Sequence, residues 1–98
     1  MRLTPDEQDA IRRTAAAVFG ADAVVRLFGS RVDDARRGGD IDLHIETAAG
    51  RATFDNEARF LHALEGEIGE RRVDFVVRER GGALRPIDRL AMETGMVL

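Results

Sequence analysis

The sequence predicts a small α/β protein: a mixed sheet with helices on one face and an open polar face opposite. Three observations carry that prediction. The apolar spacing switches repeatedly between a helical and a strand period along the chain. The segment Asp40–Glu46 alternates strictly, with Ile41, Leu43 and Ile45 on one side and Asp40, Asp42, His44 and Glu46 on the other, which describes a strand with one buried and one polar face. And 98 residues, 44% of them apolar, supply one modest core, so residues 1–98 read as a single domain.

Thr4-Pro5-Asp6-Glu7 combines an N-cap hydroxyl, a first-turn proline and a Glu three residues after the cap, and so opens a helix. Ile11, Ala15, Val18 and Phe19 continue it at helical spacing, and Gly20 ends it. Residues 23–28 are rich in β-formers and read as a buried strand that stops at Gly29-Ser30. A short helix fits residues 32–37 before Gly38-Gly39. After the alternating strand and a turn, Phe54, Ala58, Leu61, Leu64 and Ile68 mark an amphipathic helix over residues 53–67. Residues 73–77 form the next strand, with Val73, Phe75 and Val77 on one side and Asp74 and Val76 on the other. Pro86 opens a last helix carrying Ile87, Leu90 and Ala91. Gly95 closes it, and residues 96–98 pack back as a short terminal strand.

Composition excludes several chemistries. With no cysteine there is no disulfide framework, thiolate metal site or thiol nucleophile. All fifteen basic residues are Arg. A Walker A loop and a Schiff base both need Lys, so neither is available. No apolar run approaches the length of a membrane span, and the N-terminus lacks the pattern of a signal peptide, so a cytoplasmic location is expected. A net charge of −3, with no Tyr and no Trp, disfavours a nucleic-acid partner held by charge and stacking.

The candidate chemistry lies in three places. Gly29-Ser30 stands where a strand meets a helix, where backbone N–H groups and a hydroxyl cradle an anion; the same pair would also suit a plain turn with an N-cap serine. Asp40 and Asp42, two apart on a strand, place two carboxylates on one face, a suitable grip for a hard divalent cation and equally a solvated strand edge. Asp74 falls on the same sheet face if Phe75 points into the core. Pairs of such carboxylates about 4 Å apart repel by on the order of 4 kcal/mol before screening at an effective dielectric near 20, a cost that a bound cation removes. Three carboxylates beside a phosphate cradle are the equipment of two-metal phosphoryl or nucleotidyl transfer. His44 and Glu46 extend the polar face, with His44 read as an exposed strand histidine. Arg31, Arg36 and Arg37 sit beside the cradle, where they could offset phosphate charge, but they read first as a solvated short helix with Asp33 and Asp34 as neighbours; Arg71-Arg72 reads as a helix-end cap.

Leu27-Phe28-Gly29-Ser30, a nine-residue spacer from Arg31 to Gly39, and then Asp40-Ile41-Asp42-Leu43 resemble the signature of the polymerase-beta-like nucleotidyltransferase superfamily, specifically its minimal single-domain (MNT) members. Asp74 matches the later strand Asp of that pattern, and the resemblance covers nearly the whole chain. It implies the polymerase-beta-like nucleotidyltransferase fold and binding of an NTP, with ATP expected, together with two Mg²⁺ ions. It implies that Gly29, Ser30 and Arg31 meet the triphosphate, that Asp40, Asp42 and Asp74 are catalytic metal ligands, and that Asp74 also activates the acceptor hydroxyl. It further implies a helical HEPN-type partner protein in a toxin–antitoxin pair, in which the transferase is the antitoxin and adenylylates its partner. An interaction module that neutralises such a partner by binding alone is the alternative.

Overall fold

In the computed structural model, which describes residues 3–29, 41–69 and 71–98, the elements run α1 (Pro5–Phe19), β1 (Val24–Leu27), β2 (Ile41–Thr47), α2 (Phe54–Ile68), β3 (Val73–Glu79), α3 (Pro86–Thr94) and β4 (Met96–Val97). The expected helix at 32–37 lies outside the described residues.

Helix α1 starts as its sequence requires. The Thr4 hydroxyl accepts from the Glu7 amide at 3.1 Å, and the Glu7 carboxylate accepts from the Thr4 amide at 3.0 Å. This reciprocal pair satisfies two otherwise orphaned donors of the first turn.

The four strands form one sheet in the order β3-β2-β1-β4. β1 pairs antiparallel with both β2 and β4, while β2 and β3 are parallel. A parallel pair needs a crossover, and α2 supplies it. The terminal strand docks as expected: Met96 and Val97 pair with Leu27 and Arg26, and the Leu98 amide donates to the Val25 carbonyl at 2.9 Å.

Alternation along β2 divides the molecule. Ile41, Leu43 and Ile45 are fully buried beneath α1 and α2, in one cluster with Ile11, Phe19, Leu27, Phe60 and Leu64. Each such side chain contributes roughly 1.5–3 kcal/mol when fully removed from water. Phe60 is the keystone: its ring centre lies 5.6 Å from Phe19 and 5.1 Å from Phe75, the latter edge-on. The buried stripe of α2 is therefore Phe60 and Leu64, with Ile68 packed beside them. Phe54, which the periodicity placed on that stripe, stands in the first turn and is 88% exposed.

The opposite face differs from the sequence expectation. It is only partly open, because α3 crosses it and its Asp88 meets His44 of β2. The helices therefore occupy both faces, two on the apolar side and one on the polar side. His44, expected at the surface, is completely buried, as is Asp88. Gly95 lets the end of α3 come close to β1: an added methyl would collide with the Ala91 carbonyl and stand 3.1 Å from the Leu27 carbonyl.

Candidate active site

The parallel register of β2 and β3 places Asp42 directly beside Asp74. Neighbouring strands lie about 4.8 Å apart, and paired residues of a parallel ladder point to the same face. Phe75 packs into the core cluster, so Asp74 faces the other way, as its sequence position required. Both carboxylates line a cleft of about 290 Å³ together with Phe28, Phe75, Val76 and Ile87. Arg72 stands 4.0 Å from Asp74 in an exposed pair local to β3, and Arg71 pairs with Glu7 at 2.6 Å, which links the start of β3 to α1.

Gly29 adjoins the carboxylates from β1. The Phe28 amide donates to the Asp42 carbonyl at 3.1 Å, which holds the end of β1 against the start of β2. The next residue turns with φ +76°, a conformation that favours glycine. A methyl group built on Gly29 would stand 2.9 Å from Asp42 Oδ2. The glycine thus serves both the turn and the space in front of the carboxylate.

Asp40, Ser30 and Arg31, expected in the site from the sequence, lie outside the described residues, as do Arg36 and Arg37. Among the described residues, no group of three or more His, Asp or Glu side chains forms a metal site. The two carboxylates that the described residues do bring together fit a hard divalent cation: they are oxygen donors, adjacent in register, on one face, with a bare glycine backbone beside them.

Behind the cleft lies a network that the sequence did not reveal. His44 Nε2 is 2.8 Å from Asp88 Oδ1. Asp88 also accepts from the Arg85 amide at 2.8 Å, from Arg85 Nε at 2.9 Å and from Arg85 Nη2 at 3.0 Å. The Arg85 guanidinium holds the Asp88 carboxyl well below the usual carboxylate range, against the opposing cost of burial, with the Arg85 amide and His44 adding to the effect. An ionised carboxylate only accepts, so His44 Nε2 is the donor. His44 Nδ1 has no hydrogen-bond partner among the described residues. One signal pointed here: Asp88 sits three residues after Arg85 at a proline-opened helix start, where a carboxylate folds back on the first turn.

Farther along the same face, Glu46 joins two arginines. Its Oε2 is 2.6 Å from Arg78 Nη1 and its Oε1 is 3.5 Å from Arg26 Nη1. The expected polar face is therefore graded: carboxylates at the cleft, a buried His–Asp pair in the middle, and an arginine-bridged Glu beyond.

No curated protein matches the chain. Residues 9–94 match the model of a nucleotidyltransferase domain family. A solved structure whose description assigns it to the minimal nucleotidyltransferases superposes with a TM-score of 0.69, at 32% identity over 93% of this chain and 88% of the other. With the family pattern spanning nearly the whole fold, the carboxylate strands included, the chain belongs to the nucleotidyltransferase domain family.

Proposed function

We propose that the protein is a Mg²⁺-dependent nucleotidyltransferase that moves a nucleoside monophosphate, AMP in the first instance, from an NTP to a hydroxyl on a partner protein. The observation that carries this reading is the Asp42–Asp74 pair in register, with Gly29 set against the Asp42 carboxylate.

Asp42 and Asp74, with Asp40 from the adjoining sequence, would hold the cations. Bound there, Mg²⁺ would neutralise triphosphate charge and stabilise the charge that develops on the transferred and leaving phosphates. Gly29, Ser30 and Arg31 would receive the triphosphate. Asp74 is 60% exposed on its side chain, accessible from outside, and takes the role of base. It accepts the proton of the acceptor hydroxyl as that oxygen bonds to the α-phosphorus, and the bond from the α-phosphorus to the bridging oxygen breaks to release pyrophosphate. Asp42, more enclosed and in contact with the Gly29 turn, keeps the nucleotide end of the site in place.

A partner protein as acceptor is supported by the shape of the site. The cleft has one wall from the sheet and one from α3, and its outer side is open on β3, one of the two edge strands among those described. The family resemblance adds a specific reading, a helical HEPN-type toxin as acceptor and this chain as its antitoxin in the cytoplasm. A second reading, neutralisation by contact alone, is favoured by the exposed apolar residues Leu90, Met92, Met96 and Val97 of α3 and β4.

Transfer of label from α-³²P-ATP separates the two. Wild type with Mg²⁺ and the product of the neighbouring gene is expected to label that protein, and Asp42→Ala to leave it unlabelled. A partner that binds tightly yet takes no label from wild type supports the contact reading instead.

A further inference from the structure

We infer that His44 is a positioning residue for nucleotide binding: through Asp88 it fixes α3 across the polar face and so sets Ile87 as the apolar wall of the cleft over Asp42 and Asp74. The inference rests on the nucleotidyltransferase reading and extends it to residues outside the carboxylate motif.

The geometry makes the connection short. His44 lies two residues beyond Asp42 on β2 and projects to the same face. Its partner Asp88 directly follows Ile87, and both stand in the first turn of α3. Ile87 lines the cleft that Asp42 and Asp74 share. Helix α3 has only nine residues, and Ala91 is its fully buried apolar side chain. Leu90 and Met92 are 46% and 40% exposed. Apolar packing therefore holds α3 weakly, and its start is tied to the sheet by the His44–Asp88 bond to β2 and by the bond from Arg85 Nη2 to the Val77 carbonyl of β3 at 3.0 Å. Of the residues lining the cleft, Phe28, Val76 and Ile87 are apolar, as are Leu43 and Phe75, which pack into the core beneath, and the two aspartates stand among them. That is the lining expected for the nucleoside part of a nucleotide whose charged end reaches the carboxylates.

A buried His–Asp pair is a costly way to attach a helix. Two desolvated polar side chains at the centre of this face demand good geometry and repay burial poorly compared with an apolar contact. What the pair supplies, and an apolar contact does not, is a direction: one donor, one acceptor and a fixed 2.8 Å separation locate the helix along the strand.

The test measures KM for Mg·ATP and kcat, read as pyrophosphate release in the presence of the acceptor, in His44→Ala, His44→Gln, Ile87→Ala and the His44→Ala/Ile87→Ala double variant. Glu93→Ala, at an exposed polar position of α3 outside its exposed apolar patch, serves as the control. Both single alanine variants are expected to raise KM about tenfold with kcat within about twofold, the signature of lost uniform binding. His44→Gln, whose amide can still donate to Asp88, is expected to restore most of the loss. The double variant is expected to resemble either single variant, because the two residues act on one contact. Effects that multiply to about a hundredfold in the double variant, a loss carried by kcat, or an Ile87→Ala enzyme with wild-type KM would overturn the inference. Ile87→Ala leaves the buried pair intact, so it remains informative if His44→Ala folds poorly. Wild type that releases no pyrophosphate would instead overturn the nucleotidyltransferase reading, and this inference with it.

Discussion

Gly29 and Asp42 show how closely backbone and chemistry are coupled in this site. Any side chain at position 29 meets two penalties, a φ of +76° and an atom placed 2.9 Å from Asp42 Oδ2. The side chain that must yield is the carboxylate itself. Gly29→Ala is expected to cost about 1–2 kcal/mol of stability from the left-handed backbone. It is expected to lower transfer at least about tenfold, since a shift of the carboxylate spoils alignment. Denaturant melts and label transfer on the same preparation check both. Asp74→Asn should separate the two quantities: its exposed position predicts a stability change within about 0.5 kcal/mol and a loss of transfer of at least about a hundredfold. Both residues were legible in the sequence, because period-two alternation alone fixes which face a strand residue occupies. The Asp42–Asp74 pairing was a further step, since it depends on parallel register, which alternation does not determine.

At the scale of elements, α1 and the terminal strand followed from local signals: the Thr4–Glu7 box, and Gly95 before Met96. The stripe of α2 did not. Phe54 fits the helical period as well as Phe60 does, and only the packing of Phe60 against Phe19 of α1 and Phe75 of β3 decides between them. His44 was misread for a related reason. Alternation placed it correctly on the polar face, but its burial comes from α3, more than forty residues away. Replacing Asp88 with Ala strands the His44 donor and releases the Arg85 guanidinium. The Arg85 guanidinium is half exposed and is resolvated, so the expected loss is about 1–3 kcal/mol near neutral pH, the cost of leaving the buried His44 donor unsatisfied. The pH dependence has a definite sign. The folded-state pKa of Asp88 is depressed from 3.8, so its stabilisation is present above that value and lost as pH falls through the folded value. Urea melts should show a constant gap between wild type and Asp88→Ala from neutral pH to about pH 5, narrowing below about pH 4. A gap that persists unchanged into strong acid would mean that the charge of Asp88 is not what holds α3.

The whole molecule is a sheet with one apolar face that holds the core and one polar face that carries the candidate site. α1 and α2 bury the apolar side, and α3 covers only part of the polar side. No helix is long and apolar enough to cross a membrane. The cleft is about the volume of a small ligand and has no third wall among the described residues, a shape suited to a protein that completes its active site with its acceptor. Two adjacent carboxylates should make nucleotide binding depend on the cation. Mg²⁺ and ATP together, at about 100 times the dissociation constant, are expected to stabilise the fold by about 2.7 kcal/mol, and ATP with excess chelator far less. Equal shifts with and without Mg²⁺ would remove the carboxylates from the nucleotide site.

The most direct measurement compares α-³²P-ATP with γ-³²P-ATP as donors to the partner protein, with wild type and with Asp42→Asn. Label is expected on the partner from the α-phosphate only, with radioactive pyrophosphate from the γ-labelled donor, and neither with Asp42→Asn. Label arriving from the γ-phosphate, or label that survives in Asp42→Asn, would contradict nucleotidyl transfer at the Asp42–Asp74 pair.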